Sequence, residues 1–545
     1  MRTQAVTITT TPAKTNSRTL RFENCIANSV IRCTKRPFRS KVARYVCGRL
    51  LFLLGFPYSV GVNRVSPRLR TLALILFSAI AVSAQDKEKS TAFDWQHAKG
   101  TVTERLACLD DSAQSYALYL PSRYSPDPAW PVIYAFDPFG RGKAAVEVYG
   151  AAAEKYGYIV AASNNSRNGP ASLQTTAAQA MWLDTHRRFS IDKDRVYTTG
   201  LSGGARAATA FALYCYTCAV AGVIAHGAGY PVSAAKSPPA NDRFLYYAVV
   251  GNQDLNYPEL MVLRRKKDEQ SAPFKVNVYP GPHQWAPPEI AEDAIEWLEI
   301  KAMQSGAEKV SPAFVREIFA RTQAEAAQAE QAGDTLGEYY ALRSLALDFK
   351  GLEDVTQFES KRIALKTSKA WKNATRAEDR EIELQASLTK DAGGELAQLA
   401  SAEADVQPGL IQHIASVMAS LRRQAHSNDK DRMVASRAFT QLWIQGLESG
   451  QDQFREGHYT QAAAYYNLMA DAAPDQPSPL VYLAEARVRT GNKKGALKAI
   501  EEAVQRGLKR PQSLTDDPEL QPLASDPAFQ QIVQGLRAKQ AASAP

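Results

Sequence analysis

Between residues 113 and 303, short apolar runs rich in Val, Ile, Tyr and Ala alternate with longer stretches at helical spacing. That alternation constrains the chain more than any other feature. Strands buried on both faces read as continuous apolar runs, and they need covering helices between them. Strands are expected at 115–120, 131–136, 158–162, 195–199, 220–225, 244–250 and 275–279, and helices at 144–156, 173–188, 203–214, 258–267 and 288–303. The implied architecture is α/β, with a mostly parallel sheet between two helical layers.

After about residue 305 Ala, Glu, Gln and Leu dominate and strand-like runs vanish, so the remainder reads as all-α. Gly457, Tyr459, Ala462, Tyr466 and Pro474 are followed at a period of 34 by Gly491, Ala496, Ile500 and Ala503. The spacing resembles the tetratricopeptide repeat, and Leu480, Leu483 and Ala484 occupy positions which that family fills with apolar or small residues. Two repeats are too few to stand alone. Residues 313–430 are therefore expected to supply irregular helical neighbours, with 333–349 a candidate repeat and 516–533 a closing cap. A generic helical bundle is the alternative, because periodicity does not separate the two. The expected divisions are 1–84, 85–305, 306–435 and 436–545.

A chain of 545 residues exceeds what one core supports. Its net charge of +9 is unevenly placed: residues 1–84 hold fourteen Lys or Arg and one acid, Glu23, leaving 51 basic and 55 acidic residues beyond. A nucleic-acid partner inferred from net charge therefore loses its basis. Within the leader, Ser66-Pro67-Arg68-Leu69-Arg70 precedes an apolar run from Thr71 to Val82 and a small-residue site at Val82-Ser83-Ala84. That is the anatomy of a secretory signal peptide cleaved after Ala84, and the run is too short for a stable membrane span. The 64 residues before it are unusual for such a signal, so translation is expected to start near Val62 or Val65. A secreted or periplasmic location follows.

Cys25, Cys33 and Cys47 lie in the leader, leaving Cys108, Cys215 and Cys218, an odd number for a disulfide framework. Cys215-Tyr-Thr-Cys218 has redox or metal-pair spacing, but no second cysteine pair accompanies it for zinc. A local disulfide or two buried thiols is the preferred reading. No metal-ligand cluster and no need for a cofactor is visible.

Gly200-Leu201-Ser202-Gly203-Gly204 fits G-x-S-x-G, a pattern that arises by chance in about one chain in six of this length. Its setting adds weight, because a strand is expected before it and a helix after it, as a nucleophile elbow requires. Gly200 and Gly204 leave room for the strained turn, Ser202 is the candidate nucleophile, and the Gly203 N–H can face an oxyanion. A serine needs an oriented base. His283 in Gly281-Pro282-His283-Gln284-Trp285 is best placed, with His226 the runner-up, and Asp254 in Gly251-Asn252-Gln253-Asp254 is the expected acid. A turn residue for Asp254 and a loop contact for His283 are the plain alternatives.

Residues 195–207, 251–254 and 281–285 resemble the corresponding motifs of secreted bacterial α/β-hydrolases of the esterase type, near feruloyl esterases and polyhydroxybutyrate depolymerases. The likeness covers about residues 100–303. It implies an α/β-hydrolase fold followed by the tetratricopeptide-like domain, and a Ser202-Asp254-His283 triad cleaving carboxylic esters. In those families a His-Gly loop supplies the second oxyanion donor. Here Phe136-Asp137-Pro138-Phe139-Gly140 takes its place. Pro138 has no N–H to give, which leaves Phe139 as the second donor and Asp137 as a possible brace for the loop. A serine peptidase or thioesterase on the same fold, and a non-catalytic binding module with a repeat scaffold, are the competing functions. Expected partners are a small or polymeric ester and a protein or peptide at the helical repeats, with no nucleic acid.

Overall fold

The computed structural model describes residues 94–215, 217–231, 243–401 and 408–542. The expected leader, its cleavage at Ala84 and the translation start lie outside the described residues. The eight strands are β1 Val102–Ala107, β2 Ser115–Tyr119, β3 Trp130–Phe136, β4 Ile159–Ser163, β5 Ile191–Leu201, β6 Val220–His226, β7 Leu245–Gly251 and β8 Phe274–Tyr279. They form one sheet in the order β1-β2-β4-β3-β5-β6-β7-β8. The pairs β1–β2 and β2–β4 are antiparallel and every later pair is parallel. This is the α/β-hydrolase arrangement.

The sheet is covered by α1 Gly142–Tyr156, α2 Ala171–Arg188, α3 Gly203–Tyr214, α4 Tyr257–Glu269 and α5 Pro288–Ser305. The strands alternate between two apolar layers, as a period of two requires. Val132, Tyr134, Phe136, Val223 and Ala248 pack with Met181 of α2, Ala205 of α3 and Leu260 of α4. Ile133, Ala135, Tyr197, Ile224 and Val249 pack with Val146 of α1 and Ile295 and Leu298 of α5. Strands buried on both faces explain why these segments read as unbroken apolar runs. The unexpected strand is β1, whose Val-Thr-Glu-Arg-Leu-Ala is only partly buried.

From residue 312 onward the chain is helical: α6 Pro312–Ala332, α7 Thr335–Asp348, α8 Thr356–Thr367, α9 Lys369–Ser401, α10 Pro408–Ala425, α11 Arg432–Arg455, α12 Tyr459–Ala472, α13 Ser478–Arg489, α14 Lys493–Gln505 and α15 Pro527–Ala542. Gly457 and Gly491, 34 residues apart, both adopt positive φ, 86° and 78°, just before α12 and α14. One apolar cluster runs through Ala462 and Tyr466, Leu480 and Ala484, Ala496 and Ile500, then Phe529 and Val533, so each helix buries a face its neighbours complete. The helical part is built onto the sheet part. Arg264 on α4 pairs with Glu378 of α9 at 2.6 Å, and Arg343 of α7 pairs with Asp268 at 2.8 Å, with all four side chains buried. Cys215 and Cys218 form a disulfide at the end of α3, and Cys108 is a buried free thiol.

Candidate active site

Strand β5 ends at Leu201 and α3 begins at Gly203, so Ser202 alone turns the chain. Its φ of 55° and ψ of −121° fall in a region that costs a non-glycine residue about 1–3 kcal/mol. The turn is held because the Ser202 N–H donates to the His226 carbonyl at 2.8 Å, and the Ala205 N–H donates to the Ser202 carbonyl at 3.0 Å. A Cβ on Gly200 would lie 2.2 Å from the Gly204 carbonyl, and one on Gly204 would lie 2.0 Å from the Phe136 carbonyl oxygen. Neither position has room for a side chain.

Asp254 lies just beyond β7 and His283 just beyond β8, and these strands run parallel side by side. His283 Nδ1 stands 2.8 Å from Asp254 Oδ1 and 2.9 Å from Oδ2. The Asp254 side chain is 1% exposed and that of His283 is 9%. The Asn256 N–H donates to Asp254 Oδ1 at 2.8 Å, and Asn256 Nδ2 donates to the Gly227 carbonyl at 2.6 Å. A carboxylate at Nδ1 fixes the ring proton there and leaves Nε2 as an acceptor.

The end of β6 joins Ser202 to this pair. The carbonyl of His226 receives the Ser202 N–H, while a Cβ on the next residue, Gly227, would sit 2.7 Å from Asp254 Oδ2 and 3.0 Å from His283 Nδ1. Among the described residues no hydrogen bond links Ser202 Oγ to His283. Catalytic contacts of this kind often tighten only around substrate. His226, the runner-up base, is 1% exposed, with Nε2 2.7 Å from the Tyr149 hydroxyl and its ring 5.0 Å from that of Trp285. Burial pushes its pKa down to about 3. A neutral ring engaged with Tyr149 in the core is a structural histidine.

The loop after β3 departs from what the resemblance implies. Asp137 is fully buried, and its Oδ1 accepts from the Phe139 N–H at 2.8 Å, the Arg141 N–H at 3.3 Å and Arg141 Nε at 2.9 Å. Its Oδ2 accepts from Arg141 Nη2 at 2.9 Å and Trp285 Nε1 at 2.8 Å. Asp137 thus ties the loop to the segment that carries His283. The N–H of Phe139, the expected second oxyanion donor, is occupied by this carboxylate. Asn168 lies against the residue after Ser202: a Cβ on Gly203 would lie 1.9 Å from its Oδ1 and 3.2 Å from its Nδ2. The Asn168 N–H also donates to the Pro138 carbonyl at 2.8 Å.

The helical part reaches the same edge of the sheet. Arg437 on α11, 2% exposed, donates from Nη1 to the Asn252 carbonyl at 3.0 Å, from Nε to Gln385 Oε1 at 3.0 Å and from Nη2 to Glu381 Oε2 at 2.9 Å. Its guanidinium lies 4.5 Å from the centre of the Tyr257 ring. Gln385 on α9 donates from Nε2 to the Leu255 carbonyl at 2.9 Å. The carbonyls on either side of Gln253 and Asp254 are therefore both held by helices that lie more than 120 residues further on. About three turns further along α11, Glu448 Oε1 accepts from Asn168 Nδ2 at 3.3 Å. Burial and Asp452 raise the Glu448 pKa, while the nearby charges of His283 and Arg206 and the Asn168 hydrogen bond oppose that rise.

Arg141, Asn168, Gln385, Arg437 and Glu448 are absent from any reading of the sequence alone. Among the described residues no group of three His, Cys, Asp or Glu is placed to hold a metal ion, and no helix is long and apolar enough to cross a membrane. A cavity of about 510 Å³ opens elsewhere, between β8 and α6–α7, with Lys275, Asp293, Trp297 and Arg321 on its walls.

No protein-family description matches the sequence, and no curated protein does. Among solved structures, the chain is similar to a ferulic acid esterase at 15% identity, covering 36% of this chain and 94% of that one with a TM-score of 0.29. An S-formylglutathione hydrolase from Staphylococcus aureus is 15% identical over 34% of this chain and 89% of its own, with a TM-score of 0.28. A thermostable esterase is 19% identical over 36% of this chain and 61% of its own, also at 0.28. At such scores the reading of the site stands on its own geometry.

Proposed function

We propose that this chain is a serine hydrolase that cleaves carboxylic esters through Ser202, His283 and Asp254. The observation that carries the reading is the strained Ser202 turn at the start of α3, facing the same sheet edge as the hydrogen-bonded His283–Asp254 pair. His283 Nε2 takes the seryl proton as Oγ attacks the ester carbonyl, and Asp254 holds the ring and balances its positive charge. The Gly203 N–H stabilises the oxyanion. With the Phe139 N–H bonded to Asp137, the second donor in this reading is the remaining N–H of the Asn168 side-chain amide, whose other N–H is given to Glu448. His283 then protonates the leaving alcohol, and water, activated by the same base, releases the acid and restores Ser202.

The segment at 66–84 and the Cys215–Cys218 disulfide support a place outside the reducing cytoplasm. The test combines fluorophosphonate labelling with hydrolysis of short and long 4-nitrophenyl esters by the full chain and by Ser202→Ala. Labelling and turnover that both vanish in the variant are expected. Turnover retained by Ser202→Ala would remove Ser202 as nucleophile, and an intact protein that neither labels nor turns over would favour a binding role.

A further inference from the structure

Resting on that hydrolytic reading, we infer that Glu448 makes the enzyme selective for substrates that carry a positive charge close to the scissile carbonyl. Glu448 reaches the nucleophile through a short chain of contacts. Its Oε1 accepts from Asn168 Nδ2 at 3.3 Å, and the Asn168 amide packs directly over Gly203, the residue after Ser202. The side chain remains exposed although the surrounding protein raises its pKa by burial.

Among the described residues no Lys or Arg closes an ion pair with Glu448. The guanidinium that feels its charge, that of Arg206, is already engaged: Nη1 and Nη2 lie 2.9 and 2.6 Å from Glu259, and Nη1 donates to the Tyr230 carbonyl at 2.5 Å. Asp452, one turn further along α11, adds negative charge instead of relieving it. A carboxylate without a paired cation beside a developing oxyanion opposes ester attack by like-charge repulsion. A cation on the substrate reverses that sign. It neutralises Glu448 and leaves the Asn168 amide free to serve the oxyanion. An anionic substrate meets both charges at once and is excluded.

The charge can sit on the acyl or the alcohol side, and two matched pairs separate these sources. Choline butanoate is compared with 3,3-dimethylbutyl butanoate, which has carbon in place of nitrogen. The 4-nitrophenyl ester of 4-(trimethylammonio)butanoate is compared with that of 5,5-dimethylhexanoate. In at least one pair the cationic ester should have a kcat/KM at least about tenfold higher, a ratio within reach of one charge pair at a protein surface. Glu448→Gln keeps an acceptor for Asn168 and should collapse that ratio to near one. Raising the salt concentration should lower the ratio for the parent but not for the variant. Neutral esters cleaved as well as their cationic partners, or a preference that survives Glu448→Gln in a variant that melts like the parent, would overturn the inference and leave the serine hydrolase intact. If no ester is cleaved and Ser202 does not label, the hydrolytic reading itself fails and the inference falls with it.

Discussion

Replacing Arg437 by alanine tests whether the helical domain is part of the catalytic machinery. Arg437 is 2% exposed and gives hydrogen bonds to the Asn252 carbonyl, Gln385 and Glu381. The Glu381 side chain is 48% exposed, so that ion pair counts for little after solvent screening. The other two bonds join a buried charged donor to neutral acceptors and contribute about 1.5–3 kcal/mol each. Allowing for non-additivity, Arg437→Ala should destabilise the chain by about 3 kcal/mol. It also frees the Asn252 carbonyl two residues before Asp254. A shift of about 1 Å in a catalytic group costs about 100-fold, so kcat for 4-nitrophenyl butanoate should fall by about 10- to 100-fold.

Three readouts separate positioning of Asp254 from general loss of fold. The deficit should appear in kcat with little change in KM, because the ester-binding surface is untouched. Arg437→Lys, which keeps the charge but loses the planar fork, should be intermediate. Guanidinium at subdenaturing concentration should restore part of the activity of the alanine variant and none of that of Ser202→Ala. A folded Arg437→Ala protein with kcat within about threefold of the parent would refute the idea that this contact sets the acid loop.

The strain at Ser202 and the burial of His226 each give a further expectation. Ser202→Gly should be inactive yet about 1 kcal/mol more stable than Ser202→Ala, because relief of about 1–3 kcal/mol of backbone strain outweighs the entropy that glycine returns to the unfolded chain. Chemical denaturation of the two variants measures this, and equal midpoints would place no strain at the turn. His226 has a folded pKa pushed by burial to about 3, against 6.5 in the unfolded chain. A depressed pKa means that the unfolded state takes up the proton first, so this group's stabilising contribution is complete above pH 6.5 and is lost as pH falls toward 3. The loss approaches about 1.4 kcal/mol per pH unit. The stability difference between the parent and His226→Gln should therefore shrink across that window, and a pH-independent difference would contradict a neutral buried ring.

What was legible in the sequence was local. β2 through β8 fall where buried apolar runs predict them, because a strand covered on both faces has a sequence that does little else. β1 was missed because an antiparallel edge strand needs only one half-buried face, and Val-Thr-Glu-Arg-Leu-Ala offers Glu104 and Arg105 to solvent in mid-strand. The start of β5 at Ile191-Asp-Lys-Asp was missed because these residues are only partly buried or exposed and do not read as an apolar run. In the candidate site, Ser202, Asp254 and His283 each follow a strand end, so a position along the chain is already a position at the sheet edge. Asp137 was legible as a departure and as a brace for its own loop, but nothing local indicates that the Arg141 and Trp285 side chains converge on it.

The residues contributed by the helices could not be read in that way, and the reason bears on how the chain works. Arg437 and Glu448 sit on one amphipathic helix, where Arg and Glu ordinarily mark a solvated face. Only the fold turns that polar face toward the sheet edge, placing Arg437 on the carbonyl of Asn252 and Glu448 on the amide of Asn168, 280 residues apart in sequence. A single rigid helix, α11, therefore touches both the loop that carries Asp254 and the group that stands over Gly203. Any movement of α11 must shift the loop that carries Asp254 and the Glu448 carboxylate together. If His283 is the base and Glu448 selects the ester as proposed, the two roles are coupled through one element, and a variant that loosens α11 without touching either contact should lose kcat and charge selectivity in parallel.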